Sequence, residues 1–187
     1  MDISMKKLTL AIALALSAGT AIAAPEEGQI EFTGFINPGG TCPIDLVNPG
    51  LGDVPWVSLG TPNANKFEKT GDTSEEVAFA LRVTPGAGCV LPPNPTATVK
   101  FEPLHGIVGP GSDLYGIRQG GSAATGVGIA IKDDTGNKIT PNTDSKAYDL
   151  YQSSPTDMLF YANYESIVDD VTHGLAQTFV KFTVALP

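Results

Sequence analysis

Apolar and polar residues alternate in short runs along most of this 187-residue chain, a period of two that belongs to extended backbone with one face buried. Ile30, Phe32, Gly34 and Ile36 share one face of a strand running from Gly28 to Ile36. Asn37-Pro38-Gly39-Gly40 follows; Pro38 has no N–H to give a ladder, and paired glycines resist regular structure. The pattern therefore predicts an apolar-faced arm on a hinge, able to fold back on its own chain or to add to the sheet edge of another. Beyond Thr41-Cys42, Ile44, Leu46 and Val47 predict a short strand closed by Asn48-Pro49-Gly50. Val54 to Leu59 reads as a second strand with Trp56 as a partly buried anchor, turned at Gly60-Thr61-Pro62-Asn63. Val77, Phe79, Leu81 and Val83 alternate strictly, as do Ala97, Val99 and Phe101 after the stiff link Pro92-Pro93-Asn94-Pro95.

From Gly106 to Gly126 glycine is dense and the apolar marks are brief, Leu114-Tyr115 and Ile117, which predicts a mainly irregular, exposed loop with at most one short strand. Order returns with Val127, Ile129 and Ile131, then Asp133-Asp134-Thr135-Gly136-Asn137 turns the chain into Ile139. Ala147 to Tyr151 and Met158 to Tyr164 are further strands, and Val180, Phe182, Val184 and Leu186 alternate with Lys181, Thr183 and Ala185 to the last residues. No segment holds a helical period. The class is all-β, a two-sheet sandwich in one domain, without internal repeats. An apolar-faced strand with no strand after it leaves an uncovered edge, which aggregates unless a partner supplies the missing neighbour.

Ahead of the arm, Lys6-Lys7, the apolar run Leu8 to Leu16 and the small residues through Ala21-Ile22-Ala23-Ala24 make a secretory signal peptide, too short to span a bilayer. Residues 1–24 are thus a leader, 25–40 the arm and hinge, and 41–187 the domain. The mature chain is expected to be exported without a membrane anchor. Cys42 and Cys89 are its two cysteines, and in an oxidising compartment they are expected to form one disulfide; neither a CxxC spacing nor a nearby histidine favours a metal pair.

The net charge of −9, more acidic still once the leader is removed, argues against nucleic acid, which needs clustered Lys or Arg. Enzymatic motifs are absent: there is no G-x-S-x-G, HExxH, P-loop or G-x-G-x-x-G, and His105 and His173 read as loop residues. No cofactor or metal is expected. A sugar site lined by Tyr115, Tyr161 and Tyr164 is the other reading of those tyrosines, against ordinary sheet packing, which is favoured.

Taken in order, several pieces carry a resemblance: the arm with Ile30, Phe32 and Gly34; Cys42; Val57-Ser58-Leu59-Gly60; Phe79-Ala80-Leu81-Arg82-Val83 leading to Cys89; Val99-Lys100-Phe101; Gly126 to Ile131; Leu159-Phe160-Tyr161-Ala162; and Phe182-Thr183-Val184. In this order, behind a leader, they resemble the type 1 fimbrial subunits, the pilins assembled by the chaperone–usher route in Gram-negative bacteria. The resemblance covers essentially the whole mature chain.

It implies an incomplete immunoglobulin-like β-sandwich completed by a donor strand, in a structural subunit that supports surface adhesion. A periplasmic chaperone would fill the groove beside the C-terminal strand, and at the outer-membrane usher the arm of the next subunit would replace it. Ile30, Phe32, Gly34 and Ile36 would then be the donor residues, with Val180, Phe182, Val184 and Leu186 lining the groove and the chaperone-binding strand. Partners would be other subunits, in a homo- or hetero-polymer, together with chaperone and usher. One departure stands out: Leu186 occupies the next-to-last position, where the family usually carries an aromatic. The alternative function is a single-domain tip adhesin or a secreted sugar-binding β-sandwich.

Overall fold

A computed structural model describes residues 42–86 and 88–187. Among these residues ten strands appear in the order β1 (Ile44–Asn48), β2 (Gly52–Asp53), β3 (Val77–Val83), β4 (Thr96–Pro103), β5 (Ile107–Val108), β6 (Leu114–Gly116), β7 (Val127–Asp133), β8 (Tyr148–Asp149), β9 (Thr156–Ser166) and β10 (Val180–Ala185). Among the described residues, regular helix is limited to one short 3-10 turn, Ala64–Lys66. The strands form a seven-stranded sheet, β2-β1-β3-β9-β7-β6-β5, and a three-stranded sheet, β10-β4-β8. Every named pair is antiparallel. The expected all-β sandwich is therefore present.

The strictly alternating segments became the long strands because each has one face to bury. β3 and β9 pair from Val77↔Ala162 to Val83↔Thr156, and β9 and β7 from Val127↔Ser166 to Asp133↔Phe160. Phe79, Leu81 and Val83, Met158, Phe160 and Ala162, and Ile129 and Ile131 thereby face the second sheet, whose β4 returns Ala97, Val99 and Phe101; all are buried. Four aromatic rings tie the sheets together: Phe160 lies 5.5 Å from Phe79, 5.1 Å from Phe101 and 5.3 Å from Tyr148. Rings of this kind each bury roughly 150–250 Å², so this cluster anchors the core.

The turn after β7 is built by one carboxylate. Asp133 Oδ1 accepts hydrogen bonds from the backbone N–H of Thr135 and Asn137, at 2.9 and 3.0 Å, and from the Thr135 hydroxyl at 2.6 Å. Gly136, at φ 83°, supplies the left-handed residue. The returning leg is a single bridge, Lys132↔Lys138, followed by Ile139 N–H donating to Ile131 O.

Two expectations are corrected. Val54 to Leu59 is not a strand: after the two-residue β2, its first N–H reaches Leu46 O and the segment then leaves the sheet. Trp56 is 70% exposed rather than an anchor. The second correction concerns residues 106–126, which contain two short strands, and in which Leu114, Tyr115, Gly116 and Ile117 are buried. The glycines there are packing residues. A Cβ on Gly116 would sit 2.5 Å from His105 O, and one on Gly128 would sit 2.7 Å from the Val108 side chain, so their absence of side chain lets the β5–β6 hairpin close onto β7. Residues 118–122 match the exposed, irregular reading.

Candidate strand-accepting groove

Cys42 and Cys89 are bridged, with Cα atoms 4.5 Å apart, inside the range a disulfide requires. The bridge lies beside the start of β1 and beyond the end of β3, so it pins the point where the chain enters the sandwich. From there β1 runs along β3, with Ile44↔Val83 at one end and Val47↔Ala80 at the other.

β10 occupies the edge of the three-stranded sheet. It pairs with β4 over its full length, Val180↔Pro103 through Phe182↔Phe101 and Val184↔Val99 to Ala185↔Thr98. Among the described residues no strand pairs its other side. In an antiparallel strand every second residue turns its N–H and C=O toward one side, so this edge presents a row of main-chain groups with no ladder partner among those residues. The side chains repeat the alternation seen in the sequence. Lys181, Thr183 and Ala185 are exposed, and the Lys181 ammonium donates to Glu102 at 2.8 Å. That hydrogen bond, helped by the charge itself, holds the Glu102 carboxyl below its ordinary value.

Val180, Phe182, Val184 and Leu186 face the core, yet all four are only half-buried. Apart from Val77 at the start of β3, the strands β3, β4, β7 and β9 bury their inward apolar residues fully or nearly so; β10 does not. Ile44 and Leu46 of β1, and Val57 and Leu59 of the irregular stretch after β2, share this partial burial against the same core. Their polar neighbour Ser58 is exposed. Val171 and Ala176 are half-covered against that core as well. An edge strand whose apolar face is left half-covered can take one further extended, apolar-faced segment, whose side chains would add to the burial and whose backbone would pair with the open edge.

Of the four residues singled out near the C-terminus, the structure places Val180, Phe182 and Val184 on β10 and Leu186 just after it. Ile30, Phe32, Gly34 and Ile36 lie outside the described residues. Ile44, Leu46, Val57 and Leu59 were not singled out as site residues, although the alternation in Val57-Ser58-Leu59 carried the signal. Two of the tyrosines are core residues rather than a sugar site: the Tyr115 hydroxyl donates to Ile139 O at 3.1 Å and that of Tyr164 to Ala176 O at 2.9 Å, and burial raises the pKa of both phenols. Tyr161 is half-buried on the outer face. His173 is exposed, whereas His105 packs its ring 5.9 Å from Phe179. Among the described residues no three His, Cys, Asp or Glu side chains gather as a metal site.

The fold is an open, immunoglobulin-like all-β sandwich with one covalent bridge. The fimbrial protein family matches residues 30–185, and the chain belongs to that family. Over 188 residues it is 30% identical to the probable major fimbrial subunit LpfA of Escherichia coli O157:H7, with 99% of each chain covered. Long polar fimbria protein A of Salmonella typhimurium is likewise 30% identical over 189 residues, again with 99% of each covered. In fold the chain is similar to the P pilus rod subunit PapA at a TM-score of 0.60, with 15% identity, covering 79% of this chain and 100% of that one.

The protein is thus a structural fimbrial subunit, exported through the periplasm to a surface fimbria, where it polymerises with other pilin subunits. Membership of a family of structural subunits points to a non-enzymatic role. No helix among the described residues is long and apolar enough to cross a membrane.

Proposed function

We propose that the subunit polymerises by donor-strand exchange, the arm from Gln29 to Ile36 of one copy or of another pilin adding to the open edge of β10. The observation that carries this reading is the half-burial of Val180, Phe182, Val184 and Leu186 on a strand whose outer edge has no partner among the described residues. Arm and edge match in length. At ~3.3 Å per residue the arm from Gln29 to Ile36 covers about 25 Å, enough to run past the whole of β10. Burying Ile30, Phe32 and Ile36 contributes on the order of 5–9 kcal/mol before ordering costs, at roughly 1.5–3 per large apolar side chain. Each main-chain hydrogen bond adds roughly 0.5–1.5 kcal/mol. Gly34 lets the two backbones close where a side chain would clash.

Before assembly the same gap would be an aggregation hazard in the periplasm. A periplasmic chaperone holds it filled, and the outer-membrane usher is where the next arm displaces the chaperone strand. Leu186 keeps the apolar face at the end of β10 but offers a smaller contact than an aromatic. The two reagents that test this are a chain lacking residues 25–37 and a synthetic peptide of those residues. The truncated chain is expected to be unstable or to aggregate, and the peptide to rescue it. Phe32→Asp in the peptide abolishes rescue, because the carboxylate would be desolvated in an apolar gap. A bulky residue at Gly34 weakens it, and Glu31→Gln, on the outward face, changes little. A truncated chain that folds as a stable monomer and ignores the peptide would refute strand exchange.

A further inference from the structure

Positive charge is scarce in this chain, which carries 11 Lys and Arg against 20 Asp and Glu, and most of it is taken up by ion pairs. Among the described residues Arg82 holds Asp157 through two hydrogen bonds, and every lysine but Lys69 lies within ion-pair distance of a carboxylate. Arg118 is different. Its guanidinium has no carboxylate partner among those residues, and it lines a cleft of about 240 Å3 together with Gln119, Ser122, Leu175 and Gln177.

The walls of this cleft are fixed from below. Ile117 is a core residue, 2% exposed, so the chain is anchored where Arg118 begins. Arg118 N–H donates to Gln177 O at 2.6 Å, Leu175 N–H to Ser122 O at 2.8 Å and Ala124 N–H to Leu175 O at 3.1 Å. Residues 118–124 and 175–177 thus lie side by side. Gly174 permits the approach, since a side chain there would strike the backbone of Ala123 and Ala124. Gln119 Nε2 donates to Ile117 O at 3.1 Å, which steadies the amide and leaves its oxygen free to accept. A cleft held by its own backbone needs little ordering when a ligand arrives.

We propose that this cleft binds one terminal carboxylated sugar, a sialic or uronic acid, with its carboxylate on the Arg118 guanidinium. The planar fork of a guanidinium meets a carboxylate through two parallel hydrogen bonds. The amides of Gln119 and Gln177 and the Ser122 hydroxyl both donate and accept, as the hydroxyls of a sugar require. Leu175, 60% exposed, offers an apolar surface to the C–H face of the ring. The volume equals about eight waters at ~30 Å3 each, room for a single ring and not for a chain. One cation suits a monoanion. Sulfated or phosphate-rich polymers draw on clustered cations, which a chain of net charge −9 does not bring to this cleft.

The test uses whole fimbriae and saturation-transfer NMR with three soluble probes: sialyllactose, glucuronic acid and lactose. Transfer to at least one acid and none to lactose is expected; sialyllactose alone assigns a sialic acid, and glucuronic acid alone a uronic acid. Arg118→Lys keeps the charge but loses the fork, and should lower affinity for the bound acid by about tenfold or more. Lys69→Ala removes the other unpaired cation, which is not part of the cleft, and should leave binding unchanged.

No transfer to either acid, equal transfer to lactose, or Arg118→Lys fimbriae that bind like wild type overturns the proposal. So does acetate competing at the same concentration as the sugar acid, which would reduce the cleft to a bare carboxylate site. The comparison of acids with lactose needs no variant, so it decides the matter even where Arg118→Lys fails to assemble.

Discussion

Replacing Phe182 by alanine should weaken capture of the arm far more than it weakens the domain itself. Phe182 stands opposite Phe101 on β4 and points into the core, but it is only half-buried. Full burial of a phenylalanine contributes on the order of 2–3 kcal/mol; with about half its surface already covered, the unfilled domain stands to lose roughly 1–1.5 kcal/mol. Once an arm lies alongside β10, the ring is enclosed, and truncation then costs what a packed core phenylalanine costs, about 3–5 kcal/mol. The difference of about 2 kcal/mol falls on the interaction with the arm, about a 30-fold loss of affinity at 1.4 kcal/mol per tenfold. The assay is refolding of the chain lacking residues 25–37 against increasing concentrations of a peptide of those residues, read by the return of near-ultraviolet dichroism. The Phe182→Ala chain should need about 30 times more peptide for half-maximal recovery. An unchanged peptide requirement would refute the reasoning, because Phe182 would then face something other than the acceptor gap.

Replacing both Cys42 and Cys89 by serine opens a loop spanning a sequence separation of 47, which costs about 4 kcal/mol in the chain-entropy treatment; the denaturant midpoint of the assembled or peptide-filled subunit should fall accordingly. At Asp133, burial raises the carboxyl's pKa, but the hydrogen bonds from the Thr135 hydroxyl and from the backbone of Asn137 and Thr135, with the Lys146 charge, outweigh it and leave the value lowered. A lowered folded pKa gives stability that is full above the ordinary value of 3.8 and is lost as pH falls through the folded value; melting curves of wild type and Asp133→Asn should differ near neutrality and converge in strong acid. Gly116→Ala drives a methyl group to 2.5 Å from His105 O and should destabilise the domain by roughly 1–3 kcal/mol in urea unfolding, as overpacking does.

Strands with one buried face were legible in the sequence because period two survives wherever a sheet meets a core; β3, β4, β7, β9 and β10 all follow it. Composition misled in two places for physical reasons. Val54 to Leu59 has strand-like residues, but hydrogen bonding is a property of neighbours, and apart from Val54 the segment donates no backbone hydrogen bond to another described segment. Its Val57 and Leu59 still point inward, so half the alternation was informative. Around Leu114, glycine density suggested solvent, whereas Gly116 and Gly128 face each other across β6 and β7 and permit a close approach that buries Leu114 and Tyr115. For the candidate groove, the β10 residues were readable because they alternate; the half-burial of Ile44, Leu46, Val57 and Leu59 against the same core depends on a topology that local pattern does not encode.

The disulfide also decides how such a subunit would carry load. In a fibre joined by the proposed strand exchange, the pull on each domain would enter along the hinge and arrive at Cys42, at the head of β1. Through backbone alone, that force would have to travel along β1, whose neighbours are β3 and the two-residue β2, and would tend to peel the strand away from the end. The sulfur bridge gives a second route. It delivers force to Cys89, beyond the end of β3, and β3 is held on both sides, by β1 and by β9. Rupture must then shear the long β3–β9 ladder as a whole instead of opening it one bond at a time. The bridge would thus work as a mechanical shunt, passing load from the weakly held β1 to the doubly held β3.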